Sequence, residues 1–75
     1  MEIYERIKNL REDHEPKITQ SQLGKILFMS QKKISRLEVG AAKPTPEDLQ
    51  QLCLFYHVSA DYILGLPEGL PYPKR

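Results

Sequence analysis

Between Ser30 and Gly40 the chain reads SQKKISRLEVG, and four of its side chains, Gln31, Lys32, Lys33 and Arg36, end in groups that donate hydrogen bonds. A glutamine amide can pair bidentately with adenine, and an arginine or lysine with the O6 and N7 of guanine, when a helix lies in the major groove of DNA. At about 100° per residue, Ile34 and Leu37 define the inner face of such a helix, and Lys32 and Arg36 point most directly away from it. Lys33 and Ser35 flank that outward pair, and Gln31 stands at its leading end. On its own a face of this kind is equally a solvated helix surface, so the surrounding residues must decide.

Charge distribution is the first of those surroundings. The formal net charge of the 75 residues is only +1. Residues 17–43, however, carry Lys17, Lys25, Lys32, Lys33, Arg36 and Lys43 against Glu38 alone, a net of +5, while each flank nets −2. Positive charge is therefore concentrated around the outward face, as an electrostatic footprint for nucleic acid requires.

Two short helices joined by a tight turn are expected over residues 19–40. Thr19 can cap the first, with Gln22 reaching back to the cap's own N–H and Ile18 stapled to Leu23. Leu23, Ile26 and Leu27 then form its apolar stripe. Ser30 caps the second, flanked by Met29 and Ile34, although Lys33 stands where a full capping box has Glu or Gln. Gly40 supplies the stop. A bracing helix over about Glu2 to His14 precedes them, with Ile3, Ile7 and Leu10 on one face. A fourth helix opens on Thr45, with Pro46 at N1 and Glu47 and Asp48 in the first turn, where the helix dipole favours acids. Its Leu49, Leu52, Cys53 and Tyr56 suit a core face. A short fifth helix is capped by Ser59, stapled by Val58 and Ile63, and stopped by Gly65. The expected fold is all-α, a compact five-helix domain over residues 1–66, followed by a Pro-rich tail at 67–75. That tail is either mobile, or a strap in which Leu66, Leu70 and Tyr72 cross the last helix or a second subunit.

Other chemistries find little support. Cys53 is the only cysteine, which excludes an intrachain disulfide or a zinc cluster. His14 and His57 lack carboxylate or cysteine partners at ligand spacing, so no metal is expected. There is no phosphate loop, nucleophile elbow or HExxH, and neither an enzyme nor a cofactor is expected. Met1 leads directly into charged residues and no long apolar run follows, so neither a signal peptide nor a transmembrane span is read, and the cytoplasm is the expected location.

From Ile3 to Leu66 the chain resembles the Xre/Cro-type helix-turn-helix family, the lambda-repressor-like DNA-binding domains. The residues that carry the resemblance are Leu10-Arg11-Glu12, Thr19-Gln20, Leu23, Leu27, Met29-Ser30, Ile34-Ser35-Arg36-Leu37-Glu38, Gly40, Lys43-Pro44, Leu49, Leu52 and the run from Val58 to Gly65. The resemblance implies five helices, with Gln31, Lys32, Lys33 and Arg36 at base-reading positions and Gln20, Ser30 and Lys43 near phosphates. It also implies an ion pair between Arg11 and Glu38. Three features depart from the family pattern. Phe28 stands where the turn usually has Gly, Gly24 where the bracing helix usually has Ala, and the loop from Asp13 to Ile18 is about two residues longer than usual.

The reading that follows is a sequence-specific transcriptional regulator, a repressor of prophage or mobile-element type, bound to double-stranded DNA. One unit of this size reads few base pairs, so a homodimer on a pseudo-palindromic operator is expected. Its interface is sought on the fifth helix at Tyr62, Ile63 and Leu66, and in the C-terminal tail. The rival is an antitoxin or protein-interaction adaptor, because the same fold serves both.

Overall fold

The computed structural model describes residues 1–67, 69–71 and 73. Five helices follow one another: α1 (Ile3–Glu12), α2 (Gln20–Leu27), α3 (Gln31–Val39), α4 (Pro46–Tyr56) and α5 (Ala60–Leu64). No strand occurs among the described residues.

Local chemistry explains where most of them start. Thr19, Ser30, Thr45 and Ser59 each hold extended backbone, and each side-chain oxygen accepts from the N–H of the third helical residue. At Thr19 and Thr45 the box is closed in both directions. The Thr19 N–H donates to Gln22 Oε1 at 2.8 Å, and the Thr45 N–H donates to Asp48 Oδ2 at 3.0 Å. Four helices end on a residue in the left-handed region, two of them the expected glycines, Gly40 and Gly65. The other two, Phe28 and His57, are both at φ 57° and carry full side chains. Each non-glycine cap of this kind costs about 1–2 kcal/mol of backbone strain.

The core is small and drawn from every helix. Ile7, Leu23, Leu27, Ile34, Leu37, Leu52 and Ile63 are buried, with Leu49, Cys53, Tyr56 and Val58 among the partly buried side chains packed against them. Each fully buried aliphatic side chain contributes roughly 1.5–3 kcal/mol. Burial also pushes the Cys53 thiol pKa up, consistent with its place as a small apolar side chain.

Three expectations need correction. Ile26 is 47% exposed, because α2 ends one residue later and only Leu23 and Leu27 of its stripe turn inward. Ile63, sought at a subunit interface, is fully buried in the domain's own core. A five-residue helix has one inward position to anchor it, and Ile63 fills it. Finally, α1 stops at Glu12 with Asp13 as its C-cap, so His14 belongs to the loop. There its ring stacks on Phe55 at 5.4 Å between centroids, fastening the long loop to α4. Lys17 donates to the Glu12 carbonyl and closes the helix end. Beyond α5, Leu66 and Leu70 are exposed, and Tyr72 lies outside the described residues.

Candidate nucleic-acid interface

The turn between α2 and α3 is built on a backbone approach that leaves no space for a side chain. A Cβ added at Gly24 would stand 2.5 Å from the Met29 carbonyl oxygen. The Gly24 carbonyl in turn accepts from the N–H groups of Phe28 and Met29. Turn and helix are thereby closed on each other, and Phe28, at 93% exposure, is carried on the outside of the turn. From α4, Gln51 Nε2 donates to the Leu27 carbonyl at 3.2 Å and secures the end of α2.

α3 is two-sided. Ile34, Leu37 and Glu38 are buried, whereas Gln31, Lys32 and Arg36 are exposed, and Lys33 and Ser35 are half-buried between them. Arg36 Nη2 donates to the Ala41 carbonyl at 3.2 Å, which uses one of its five N–H groups and leaves the rest to solvent. Ser30, exposed, spends its hydroxyl as an acceptor on the Lys33 N–H. Lys43 is exposed in the segment after α3.

One buried carboxylate orients this helix. Glu38, 2% exposed, accepts from Arg11 Nε at 2.8 Å and Arg11 Nη2 at 2.9 Å, the two-pronged geometry that a guanidinium offers a carboxylate. The hydrogen bonds that Arg11 donates to Glu38 raise the Arg11 pKa, with burial opposing them. Gln20 Nε2 adds a third donor to Glu38 Oε1 at 3.1 Å, and Arg11 Nη1 reaches the Ile18 carbonyl at 3.2 Å. α1, α2 and α3 therefore meet at Glu38, and Arg11 ties the entry to α2 to the same pair. Beside it the Tyr56 hydroxyl is buried with no hydrogen-bond partner among the described residues, and its pKa is pushed up to about 12 by burial and by the charge of Glu38, with Arg11 partly offsetting them.

Lys33 has a partner that the sequence reading missed. Its Nζ lies 2.8 Å from Asp48 Oδ1, at the start of α4. Burial pushes the Asp48 carboxyl up, but the hydrogen bonds from Lys33 and Thr45 outweigh it and hold the pKa below its ordinary value. The signal lay in Lys33 itself: a cation in the first turn of a helix opposes the helix dipole and calls for a counter-charge from elsewhere. The tie between Gln20 and Glu38 was also missed, and no local pattern announces it.

Among the described residues, no group of three His, Cys, Asp or Glu side chains is placed to hold a metal ion, and no helix is long and apolar enough to cross a membrane.

This geometry has known counterparts. The helix-turn-helix family profile matches residues 7–63. An uncharacterized HTH-type transcriptional regulator of Bacillus subtilis (strain 168), YobD, is 36% identical over 70 residues, which are 93% of this chain. The chain spans 60% of that relative's length. Among solved structures, the P22 c2 repressor in complex with a synthetic operator superposes with a TM-score of 0.77 at 33% identity, covering 85% of this chain and 94% of that one. The SOS-response repressor LexA of Eubacterium rectale gives the same TM-score at 15% identity, over 97% of this chain and 76% of that one, a likeness of fold alone.

Proposed function

The chain belongs to the Xre/lambda-repressor-like helix-turn-helix family, and from that premise we propose that it is a non-catalytic, sequence-specific DNA-binding transcription regulator, a cytoplasmic repressor of prophage or mobile-element type. In this reading α3 enters the major groove with Gln31, Lys32, Lys33 and Arg36 on the side that faces base edges, and Gln20, Ser30 and Lys43 lie along the phosphates. The observation that carries it is the two-sidedness of α3: Ile34, Leu37 and Glu38 lock one face into the domain and leave Gln31, Lys32 and Arg36 exposed on the other. The P22 c2 repressor, crystallised on operator DNA, supports it at 33% identity.

A single unit of this size contacts few base pairs, so the operator is read by a homodimer on a pseudo-palindrome with half-sites about one helical turn, roughly 34 Å, apart. Tyr62 and Leu66, exposed at 44% and 45% on and just after α5, are the side chains available for that contact, with the tail from residue 67 as a second element. An adaptor or antitoxin docking through α3 would want a row of apolar anchors there, and the exposed positions hold Gln31, Lys32 and Arg36, with Val39 alone apolar at the helix's last residue.

The test is selection from random duplex DNA at moderate salt, followed by affinity measurement against unrelated duplex. Enrichment of a pseudo-palindrome with half-sites about ten base pairs apart is expected. If each subunit meets about three phosphates, log affinity falls against log salt with a slope of roughly −5. A pool that stays random, with weak binding abolished by salt, would reject sequence-specific regulation and leave α3 an electrostatic surface only.

A further inference from the structure

Three cations stand on the polar side of α3, and they are not equivalent. Lys32 and Arg36 are exposed, and among the described residues neither has a carboxylate within ion-pair distance. Lys33 is held by Asp48 at 2.8 Å, and the two partners differ sharply in exposure, 43% for the lysine side chain against 6% for the aspartate.

The aspartate is not free to move. Its Oδ2 accepts from the Thr45 N–H at 3.0 Å while its backbone N–H donates to Thr45 Oγ1 at 3.1 Å, so the cap of α4 holds one carboxylate oxygen and the residue's backbone, and Lys33 takes the other oxygen. The Lys33 ammonium has three N–H groups, but its charge is already neutralised by Asp48, and leaving that carboxylate for a DNA phosphate or a base edge would strand it buried with its counter-charge gone. A surface ion pair is worth little, but stripping one partner from a buried charge is strongly unfavourable. Lys33 also occupies the third position of α3, where its N–H donates to the Ser30 hydroxyl and its charge opposes the helix dipole. Asp48 answers that charge from the neighbouring helix.

We propose that Lys33 is a positioning residue rather than a reader: through Asp48 it fixes α3 against the start of α4, and Asp48 withholds this one cation from DNA. The inference rests on the DNA-binding reading above, and it assigns base contacts on α3 to Gln31, Lys32 and Arg36 alone. It also makes Asp48 a built-in limit on affinity for DNA of any sequence.

The test uses the full chain with Lys33→Met, Asp48→Asn and the double substitution. Methionine keeps the lysine stem without its charge, and asparagine keeps a side-chain acceptor for Thr45. Against the selected operator and unrelated duplex, Lys33→Met should leave both the base preferences and the salt slope as they are. Asp48→Asn should free the ammonium, steepen the slope by about one unit, and raise affinity for either DNA by up to about eightfold at 0.1 M salt. The double variant should return to the parental slope, which separates a released Lys33 from a mere change in net charge. A flattened slope or a loosened base pair in Lys33→Met, or an unchanged slope in Asp48→Asn, overturns the inference. Without DNA, the two single substitutions should each lower the melting temperature and the double by less than their sum; strictly additive losses mean the pair does not form. If the parent shows no salt-dependent DNA binding, the DNA reading and the withholding role fall together, while the melting cycle still decides the pairing.

Discussion

Arg11 and Glu38 lie 27 residues apart in the chain and meet through two hydrogen bonds of 2.8 and 2.9 Å, with the arginine side chain 15% and the glutamate side chain 1% exposed. The pair joins α1 to α3, and Gln20 brings α2 to the same carboxylate. The orientation of α3 is therefore set from the side opposite its exposed face.

Removing that carboxylate should be severe. Glu38→Ala leaves the Arg11 guanidinium largely buried with its counter-charge gone, and Gln20 without its acceptor. A loss of about 3–5 kcal/mol is expected, comparable to the whole stability of a domain near the low end of roughly 5–15 kcal/mol. Thermal unfolding followed by circular dichroism measures it, and an unchanged melting temperature would show that the pair contributes nothing in solution.

Arg36 and Lys43 should separate base reading from phosphate contact. Arg36→Ala is expected to weaken the selected operator by about 1–3 kcal/mol and to relax preference at one base pair. Lys43→Ala should weaken all duplexes alike and flatten the salt slope by about one unit. Equal losses on operator and random DNA for Arg36→Ala would remove it from the base readers.

Gly24, inside α2 against the turn, and Phe28, in the turn itself, should respond in opposite ways. Gly24→Ala improves helix propensity by up to about 1 kcal/mol, yet the new Cβ would be driven to 2.5 Å from the Met29 carbonyl, a backbone atom that cannot simply rotate away. Net destabilisation is expected. Phe28→Gly should stabilise by about 1 kcal/mol, since φ 57° suits glycine and an exposed ring forfeits little burial. Chemical denaturation of the two variants checks both signs, and a stabilised Gly24→Ala would mean that the turn yields.

Tyr56 predicts an alkaline signature. Its folded pKa, about 12, lies above the ordinary value near 10. The neutral hydroxyl is thus favoured in the folded state, and its contribution is complete below about pH 10 and is lost as pH rises toward 12. Tyr56→Phe should remove that part of the alkaline loss. At neutral pH it should be as stable as the parent or more so by up to about 1 kcal/mol, because the buried hydroxyl has no hydrogen-bond partner to lose. Stability–pH curves of the two proteins, subtracted, isolate the effect; parallel curves between pH 10 and 12 would contradict it.

Much of this architecture was legible without coordinates, because helix starts and stops are local events. Thr19, Ser30, Thr45 and Ser59 cap through atoms three residues away, and Gly40 and Gly65 stop helices through their own backbone freedom. The outward face of α3 was readable for the same reason: a period of about 3.6 residues places Ile34 and Leu37 on one side and Lys32 and Arg36 on the other. Local pattern misled where burial depends on what a neighbouring helix covers. Ile26 lies beside Leu23 and Leu27 in sequence yet is half exposed, and Ile63 looked available for a partner yet is sealed by its own domain.

The sequence by itself therefore determined five helices, their order, and a cationic helix braced by a turn. Tertiary structure alone decided which of the chemically similar cations remain available. Lys32, Lys33 and Arg36 all lie on the polar side of a helical wheel, Lys33 toward its flank, and Glu47 and Asp48 are adjacent acids at the start of α4. Only the placement of the start of α4 beside the start of α3 brings Lys33 to Asp48 and leaves Lys32 and Arg36 exposed. An ion pair depends on distances of a few ångströms between atoms far apart in the chain, and burial decides what the pair is worth.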